Sequence, residues 1–237
     1  MITLGIDTAT DIFNLAIIEN GKMIVDYRMQ KAGMTHSAVI IPALKNLIDF
    51  TGLELNKLTG IAVSVGPGSF TGLRIGLATA KGLAFSLSIP IIGVNTLESY
   101  ALDRKDLPGI LCPMMKARKG EYYFTLYRKE NYYNDLIRIE DYQCKSWLSI
   151  KEKLLKLDQP VYILGYGLME AIGNLKSNHS LSHIHFLIKE QDPPGAVNIA
   201  LMGEKRILSK QTDDIFELSP FYICKSAAEI KNETRIN

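Results

Sequence analysis

Asp7 ends an apolar run near the amino terminus and is followed by Thr8, Ala9 and Thr10. A carboxylate at the end of a buried strand can hold hydrated Mg²⁺ beside phosphates, and the amides of the following turn can cradle a phosphate. Aspartate is also a common acceptor for the backbone amides of its own turn. These residues therefore predict either a nucleotide or phosphate contact through Asp7, Thr8 and Thr10 or a structural turn, and turn chemistry favours the second.

A second candidate is the glycine-rich segment Gly66–Gly72, GPGSFTG, between a predicted strand and a predicted helix. The amino terminus of a helix attracts anions. However, a Walker loop ends in Gly-Lys-Ser/Thr, and here Leu73 and Arg74 follow the last glycine. Three glycines within the segment suit a rigid turn that allows close packing, and we favour this interpretation over direct phosphate binding.

The second half of the chain offers two weaker candidates. Lys116, Arg118 and Lys119 form a basic turn that could contact a phosphate of RNA or of a nucleotide, although a solvated turn has the same composition. Gly165 and Gly167 follow a predicted strand, where a nucleotide could approach the backbone closely. Both are predictions of contact rather than of catalysis.

Metal and nucleophile patterns are missing from the sequence. His36 has Ile40 where a second helical ligand would stand, and His179 with His183 has no third ligand nearby. The Gly-x-Ser-x-Gly elbow of serine hydrolases does not occur. The sequence therefore predicts no metal site and no catalytic residue.

Composition narrows the possible functions. The 237 residues carry a formal net charge of +2 and are 47% hydrophobic, which predicts a folded core and argues against a dedicated polyanion binder. Three cysteines without a CxxC pair suit a reducing compartment. Because neither a signal peptide nor an apolar stretch of about 20 residues is found, we expect a cytoplasmic protein that does not enter a membrane.

Two similar blocks of secondary structure would position these residues. The first block has the order βββαβαβα, over residues 2–7, 12–18, 23–29, 37–50, 61–65, 73–85, 90–94 and 96–103. The second repeats this order in degenerate form from residue 110 onward. The sequence thus predicts an α/β fold duplicated as two lobes, 1–103 and 104–237. A helix near 194–209 is predicted to pack back toward the first lobe, and a tail is predicted to fray from about 225.

Five segments carry a resemblance to a known family: Gly5–Thr10, Thr35–Ser37, Gly66–Gly76, Ala117–Glu121 and Leu218–Tyr222. Together they resemble the TsaB (YeaZ) family, the accessory subunit of the bacterial machinery for threonylcarbamoyladenosine in tRNA. The resemblance covers nearly the whole chain, and the run GPGSFTGLR is its most specific part. It implies the two-lobed fold of actin-like ATPases and sugar kinases, in agreement with the duplicated blocks.

The resemblance also implies a non-catalytic role. Such subunits pair through a helix bundle with the catalytic paralogue TsaD, which modifies adenosine 37 of tRNAs that read ANN codons, and the P-loop ATPase TsaE joins them. ATP or ADP and metal then belong to the partner subunits, and tRNA is reached through the complex. The alternative is a self-sufficient ATP-dependent small-molecule kinase of the same fold, which needs carboxylates in both lobes, whereas only Asp7 stands in an expected place.

Helical periodicity suggests which residues would meet such a partner. Small residues recur at every fourth position of the second helix, and an apolar face follows the first. Both stripes could equally cover the protein's own sheet, but the resemblance implies pairing with the matching helices of TsaD, or with a second copy in a homodimer. The predicted partner-binding residues are Ile40, Ile41, Leu44, Leu47, Ile48, Gly72, Gly76, Ala80 and Ala84.

Overall fold

Two five-stranded mixed sheets form the frame of the protein. The computed structural model describes residues 1–30, 36–129, 136–169, 171, 182–188 and 195–224. The strands are Ile2–Asp7 (β1), Ile12–Glu19 (β2), Lys22–Gln30 (β3), Gly60–Gly66 (β4), Ile91–Asn95 (β5), Ile110–Arg118 (β6), Glu121–Lys129 (β7), Leu136–Ser146 (β8), Val161–Tyr166 (β9) and Ile184–Ile188 (β10). The helices are His36–Thr51 (α1), Phe70–Leu87 (α2), Thr96–Leu102 (α3), Trp147–Leu154 (α4) and Ala196–Leu208 (α5).

The two sheets have the same strand order. The first runs β3-β2-β1-β4-β5 and the second β8-β7-β6-β9-β10. In each, three antiparallel strands form a meander and two further strands add in parallel. This confirms the predicted α/β fold with a duplicated topology, and we call the parts built on the two sheets the first and second lobes.

Local signals explain several element boundaries. Asn20 and Gly21 join β2 to β3 with φ of 48° and 74°, which is the conformation that an Asn-Gly hairpin turn requires. The Ser69 hydroxyl accepts the Gly72 amide at 3.2 Å, so α2 begins before the predicted residue 73. Asn95 caps α3 by accepting the Leu97 amide at 2.9 Å. The predicted frayed tail from about residue 225 and His179 lie outside the described residues.

The first sheet is covered on both faces. Helices α1 and α2 pack on one face over a core that includes Leu4, Ile6 and Leu15. Helix α5, which comes from the end of the chain, packs on the opposite face against β1 and β4. An ideal Cβ at Gly5 would lie 2.1 Å from the Ala196 carbonyl oxygen, so glycine is needed for α5 to approach this closely. Within the described residues, no helix has both the length and the apolar character needed to cross a membrane.

Candidate functional site

Several polar groups of the turn after β1 form hydrogen bonds within the protein. The Asp7 carboxylate accepts the Ala9 amide at 3.0 Å, and the Thr8 amide donates to the Ser64 hydroxyl at 3.3 Å. The Thr10 hydroxyl accepts the amide of residue 12 at 3.1 Å. Asp7, Thr8 and Thr10 are all buried. The hydrogen bond from Ala9 is the one that a structural turn requires, and a phosphate contact through these three residues stays a prediction.

Burial raises the pKa of the Asp7 carboxyl above its ordinary value. The Ala9 amide, the Ser64 hydroxyl and the charge of Arg28 offset this effect only in part. The cause is that an ionised carboxylate loses its hydration in the interior, while the neutral acid does not. Asp7 is thus an interior group whose charged form is disfavoured.

We expect Asp7→Asn to stabilise the protein relative to wild type increasingly as the pH rises. A carboxyl whose folded pKa is raised favours folding at pH below its unfolded pKa, and this contribution is lost as the pH rises toward the folded pKa. Asparagine keeps an oxygen for the Ala9 amide and does not titrate. Urea unfolding of both chains between pH 4 and pH 8 measures the difference. A constant difference would show that folding does not shift the pKa of Asp7, and a reversed one would show that the fold stabilises its carboxylate; either result contradicts the expectation.

The glycine-rich segment lies directly on this turn. The Ser69 amide donates to the Ala9 carbonyl at 2.7 Å, and an ideal Cβ at Gly68 would lie 2.5 Å from the same oxygen. At Gly72 it would lie 2.2 Å from the Thr8 carbonyl oxygen. The amino terminus of α2 is therefore pressed against the turn after β1, and the packing interpretation of this segment agrees with the geometry.

Like the glycine-rich segment, the small-residue stripe of α2 faces the turn after β1. Gly72, Gly76, Ala80 and Ala84 are buried, and an ideal Cβ at Gly76 would lie 2.2 Å from Thr8 Oγ1. The stripe therefore lets α2 approach its own sheet, and its prediction as a surface for a partner helix is wrong.

The apolar face of α1 is also internal for the most part. Ile40, Leu44 and Leu47 lie in the core of the first lobe, and Ile48 is half-buried against it. The prediction that this face binds a partner is wrong for the three buried residues, because the sheet takes the apolar face of an amphipathic helix first. Ile41 is 53% exposed and remains available.

A different stripe of the same helices faces outward. Ile41 on α1 and Phe85 on α2 are exposed, and Ala78 and Gly82, seven and three residues before Phe85 on α2, are exposed as well. An ideal Cβ at Gly82 meets no heavy atom within 4 Å. We call Ile41, Ala78, Gly82 and Phe85 the outer face. Ala78, Gly82 and Phe85 were not predicted from the sequence, although their spacing of four and three residues was a usable signal.

The glycines after β9 have a packing role. Gly165 has a φ of +143°, and an ideal Cβ there would lie 1.7 Å from the Met114 carbonyl oxygen on the neighbouring strand. Gly167 is half-buried, and its ideal Cβ would lie 3.0 Å from the Lys116 Cβ. Packing against β6 thus accounts for Gly165, and the nucleotide contact predicted for Gly167 stays a prediction.

The basic turn between β6 and β7 is partly neutralised. Arg118 forms an ion pair with Glu121 across the turn, and this contact raises the pKa of Arg118 and lowers that of Glu121. Lys116 and Lys119 are exposed on either side. A contact of this turn with tRNA stays a prediction, with less available charge than the sequence indicated.

We expect replacement of Lys116, Arg118 and Lys119 by alanine together to weaken tRNA retention only modestly. Three cations neutralise at most about three phosphates, so the logarithmic salt slope should fall by no more than about 3. Filter binding of tRNA to the assembled complex across a salt series measures this slope. Loss of all tRNA binding at low salt would instead make this turn a primary binding site.

The two lobes meet in an apolar cluster. Ala9, Leu73 and Leu97 from the first lobe pack with Met115 from the second, and the Tyr166 hydroxyl donates to the Asp11 carboxylate across the junction. Within the described residues, no group of three or more His, Cys, Asp or Glu side chains is arranged to hold a metal ion. Side chains of the two lobes therefore fill the junction next to the turn after β1.

The end of the described chain, residues 209–224, forms a C-terminal strap. Asp213 adds a bridge to the edge strand β5, and the Phe221 amide donates to the Val65 carbonyl at 2.7 Å. The Tyr222 ring stacks on Phe70 with centroids 5.3 Å apart. The strap thus covers the carboxyl end of β4 and the start of α2, a role that the sequence analysis did not assign to Leu218–Tyr222.

Comparison with known proteins adds a family to this geometry. The family model of TsaD, tRNA N6-adenosine threonylcarbamoyltransferase, matches residues 30–167. The chain is 30% identical over 233 residues to the tRNA threonylcarbamoyladenosine biosynthesis protein TsaB of Bacillus subtilis, which covers 98% of this chain and 97% of that protein. It is 34% identical over 129 residues to TsaB of Escherichia coli, which covers 54% of this chain and 55% of that protein.

The fold has close counterparts among solved structures. YeaZ from Pseudomonas aeruginosa matches with a TM-score of 0.73 at 19% identity, over 93% of this chain and 99% of that chain. This likeness concerns the fold, and the predicted two-lobed fold of actin-like ATPases is confirmed. The protein from Bacillus subtilis aligns with nearly the whole chain at 30% identity, and the family model matches more than half of the chain. The chain therefore belongs to the TsaB (YeaZ) family of tRNA threonylcarbamoyladenosine biosynthesis proteins.

Proposed function

We propose that this chain is a non-catalytic subunit that binds a TsaD-type transferase and supports threonylcarbamoyl transfer to adenosine 37 of tRNAs that read ANN codons. In this proposal TsaE and tRNA join through the complex, and ATP or ADP and metal are held by the partner subunits. The family membership supports the role in tRNA modification. The division of labour between subunits is the proposed part.

The observation that carries the proposal is the outer face. Ile41 and Phe85 are large apolar side chains that are 53% and 68% exposed on neighbouring helices. Ala78 and Gly82, which are exposed on α2, have almost no bulk, so the axis of another helix could approach α2 closely. Exposed apolar patches on soluble proteins commonly mark interaction sites.

Two features support pairing with a related subunit. The family model that matches this chain is that of TsaD itself, which implies that the transferase has helices equivalent to α1 and α2. A face that is complementary to a related face can also pair with its own copy. We therefore propose a heterodimer with the transferase through the outer face, and a homodimer through the same face when the chain is alone.

The closed turn after β1 supports the non-catalytic assignment. A kinase of this fold would present that turn to the nucleotide phosphates, but here Asp7 and Thr8 are buried under the glycine-rich segment. The Thr8 and Ala9 amides and the Ala9 carbonyl hydrogen-bond within the protein. Phosphate could reach these groups only after α2 moved away.

The test combines the purified chain with a TsaD-type transferase, TsaE, tRNA and the threonylcarbamoyl donor. We expect modification only when the chain and the transferase are both present, with a stable complex of the two in sedimentation. Calorimetry with ATP and Mg²⁺ on the chain alone should give no heat of binding. ATP turnover by the chain alone, or modification without it, would contradict the proposal.

A further inference from the structure

The C-terminal strap connects the two lobes through aromatic contacts. Phe221 hydrogen-bonds through its amide to Val65 of β4, and its ring meets the Tyr142 ring of β8 at a centroid distance of 5.4 Å in an edge-to-face arrangement. The Tyr222 hydroxyl accepts the Arg74 Nε–H at 3.0 Å. The strap is therefore anchored on the first lobe and ends against the second.

Two of the three thiols meet at the end of this strap. Cys144 follows Tyr142 by two residues on β8, so the two side chains share one face of the strand, and Cys224 follows Phe221 shortly along the strap. Cys144 lies opposite Tyr123 of β7, and burial together with hydrogen bonds to Cys224 raises the pKa of both the Cys144 thiol and the Tyr123 hydroxyl. Both cysteines are free and half-buried. The contact between the Tyr142 and Phe221 rings brings the strap to this point of β8.

We propose that Cys144 and Cys224 are a modification site, a dithiol that a low-molecular-weight disulfide oxidises to an intramolecular disulfide, which fastens the strap to the second sheet. No function is assigned to either residue by the role proposed above, so the two proposals stand separately. The third thiol, Cys112, is fully buried in the core of the second lobe and has no part in the site.

The reaction balances as two thiol–disulfide exchanges. One thiol loses its proton and attacks the small disulfide, which forms a mixed disulfide and releases one small thiolate. The second thiol loses its proton and attacks the mixed bond, forms the Cys144–Cys224 bond and releases the second small thiolate. The protein loses two electrons and two protons, and the small disulfide becomes two thiols.

The surroundings of the two thiols make formation of the disulfide slow and its reduction slow as well. Burial, the hydrogen bond that the Cys144 thiol donates to Cys224 and the charge of Cys224 raise the pKa of the Cys144 thiol to about 12, so Cys144 is protonated at neutral pH. A thiol with a high pKa is also a poor leaving group, which slows reductive opening of a disulfide that contains it. Crosslinking Cys144 to Cys224 removes unfolded-chain freedom from the long loop between them.

The test uses the full chain, reduced, freed of reductant and incubated with excess oxidised glutathione. Remaining thiols are trapped with N-ethylmaleimide under denaturing conditions, and the chain is digested without reduction for mass spectrometry. We expect one maleimide, on Cys112, instead of three, and a peptide pair joined through Cys144 and Cys224. The thermal unfolding midpoint should rise by several degrees and return after dithiothreitol.

Single substitutions give the controls. Cys112→Ser should leave the link and the rise in midpoint unchanged, whereas Cys224→Ser should abolish both while the circular dichroism stays that of the wild type. Three maleimides after oxidation would overturn the proposal. Separate glutathione adducts on Cys144 and Cys224, or links only between chains, would overturn it as well, because each shows that the two thiols do not close on each other.

Discussion

Gly76→Arg is expected to unfold the first lobe, whereas Gly82→Arg on the same helix is expected to leave it folded. An ideal Cβ at Gly76 would lie 2.2 Å from Thr8 Oγ1, and one at Gly82 meets no atom within 4 Å. Arginine at the first position must displace the turn after β1 and bury a charge, which costs more than about 3 kcal/mol. At the second it gains about 0.5–1 kcal/mol of helix propensity over glycine.

Urea unfolding followed by circular dichroism measures both changes. The alanine variants give a graded control, because Gly76→Ala should lose about 1–3 kcal/mol and Gly82→Ala should gain about 0.5–1 kcal/mol. A Gly76→Arg chain with a wild-type midpoint would show that the small-residue stripe faces solvent and that the orientation of α2 described above is incorrect.

Ile41→Arg is expected to lower the affinity for a TsaD-type transferase at least 100-fold, or about 2.7 kcal/mol. The side chain is exposed in the free chain, so folding should not suffer. In a complex through the outer face, the new charge would be buried without a partner, and this carries a large free-energy cost. Isothermal calorimetry and the rate of tRNA modification in the reconstituted system measure the effect.

Leu148→Arg is the matched control for this change. Leu148 is also a large apolar residue on a helix, 64% exposed, but it lies on α4 of the second lobe. The Leu148→Arg chain should bind the transferase with wild-type affinity. If Leu148→Arg weakened binding as much as Ile41→Arg, the loss would reflect added charge in general, and if Ile41→Arg bound normally the interface would lie elsewhere.

The order of elements along the chain and the turns were predictable because their signals are local. The Asn20-Gly21 pair fixes the β2–β3 hairpin through positive φ at both residues, and apolar runs mark the buried strands of the first sheet. Ser146, directly before α4, caps the helix by accepting the Ser149 amide at 3.3 Å, which is a local signal. Repetition of these local patterns was enough to predict a duplicated α/β fold.

The orientation of α2 was not predictable from periodicity. Periodicity tells which residues share a helix face, but not which of two small-residue stripes packs inward. In α2 the Gly72–Ala84 stripe turns inward because the turn after β1 lies against it, and Ala78 with Gly82 is left outside. That turn is far away in the sequence, so no local pattern contains the information.

The strap was missed for the same reason. The Arg74 side chain packs 3.8 Å from the centre of the Phe70 ring and donates to Tyr222. Arg74 and Tyr222 are separated by 148 positions in the chain. A contact between residues so far apart in the sequence forms only in the folded protein. The Leu218–Tyr222 motif is visible in the sequence, but its packing role is not.

Cysteine labelling on the outer face tests the central claim most directly. Ala78→Cys and Leu148→Cys are introduced separately into a chain that carries Cys144→Ser and Cys224→Ser, and maleimide labelling rates are measured on dilute chain with and without saturating TsaD-type transferase. We predict that the transferase slows labelling at position 78 at least tenfold and leaves the rate at position 148 unchanged. Equal rates at position 78 in both conditions, or protection only at position 148, would contradict the account.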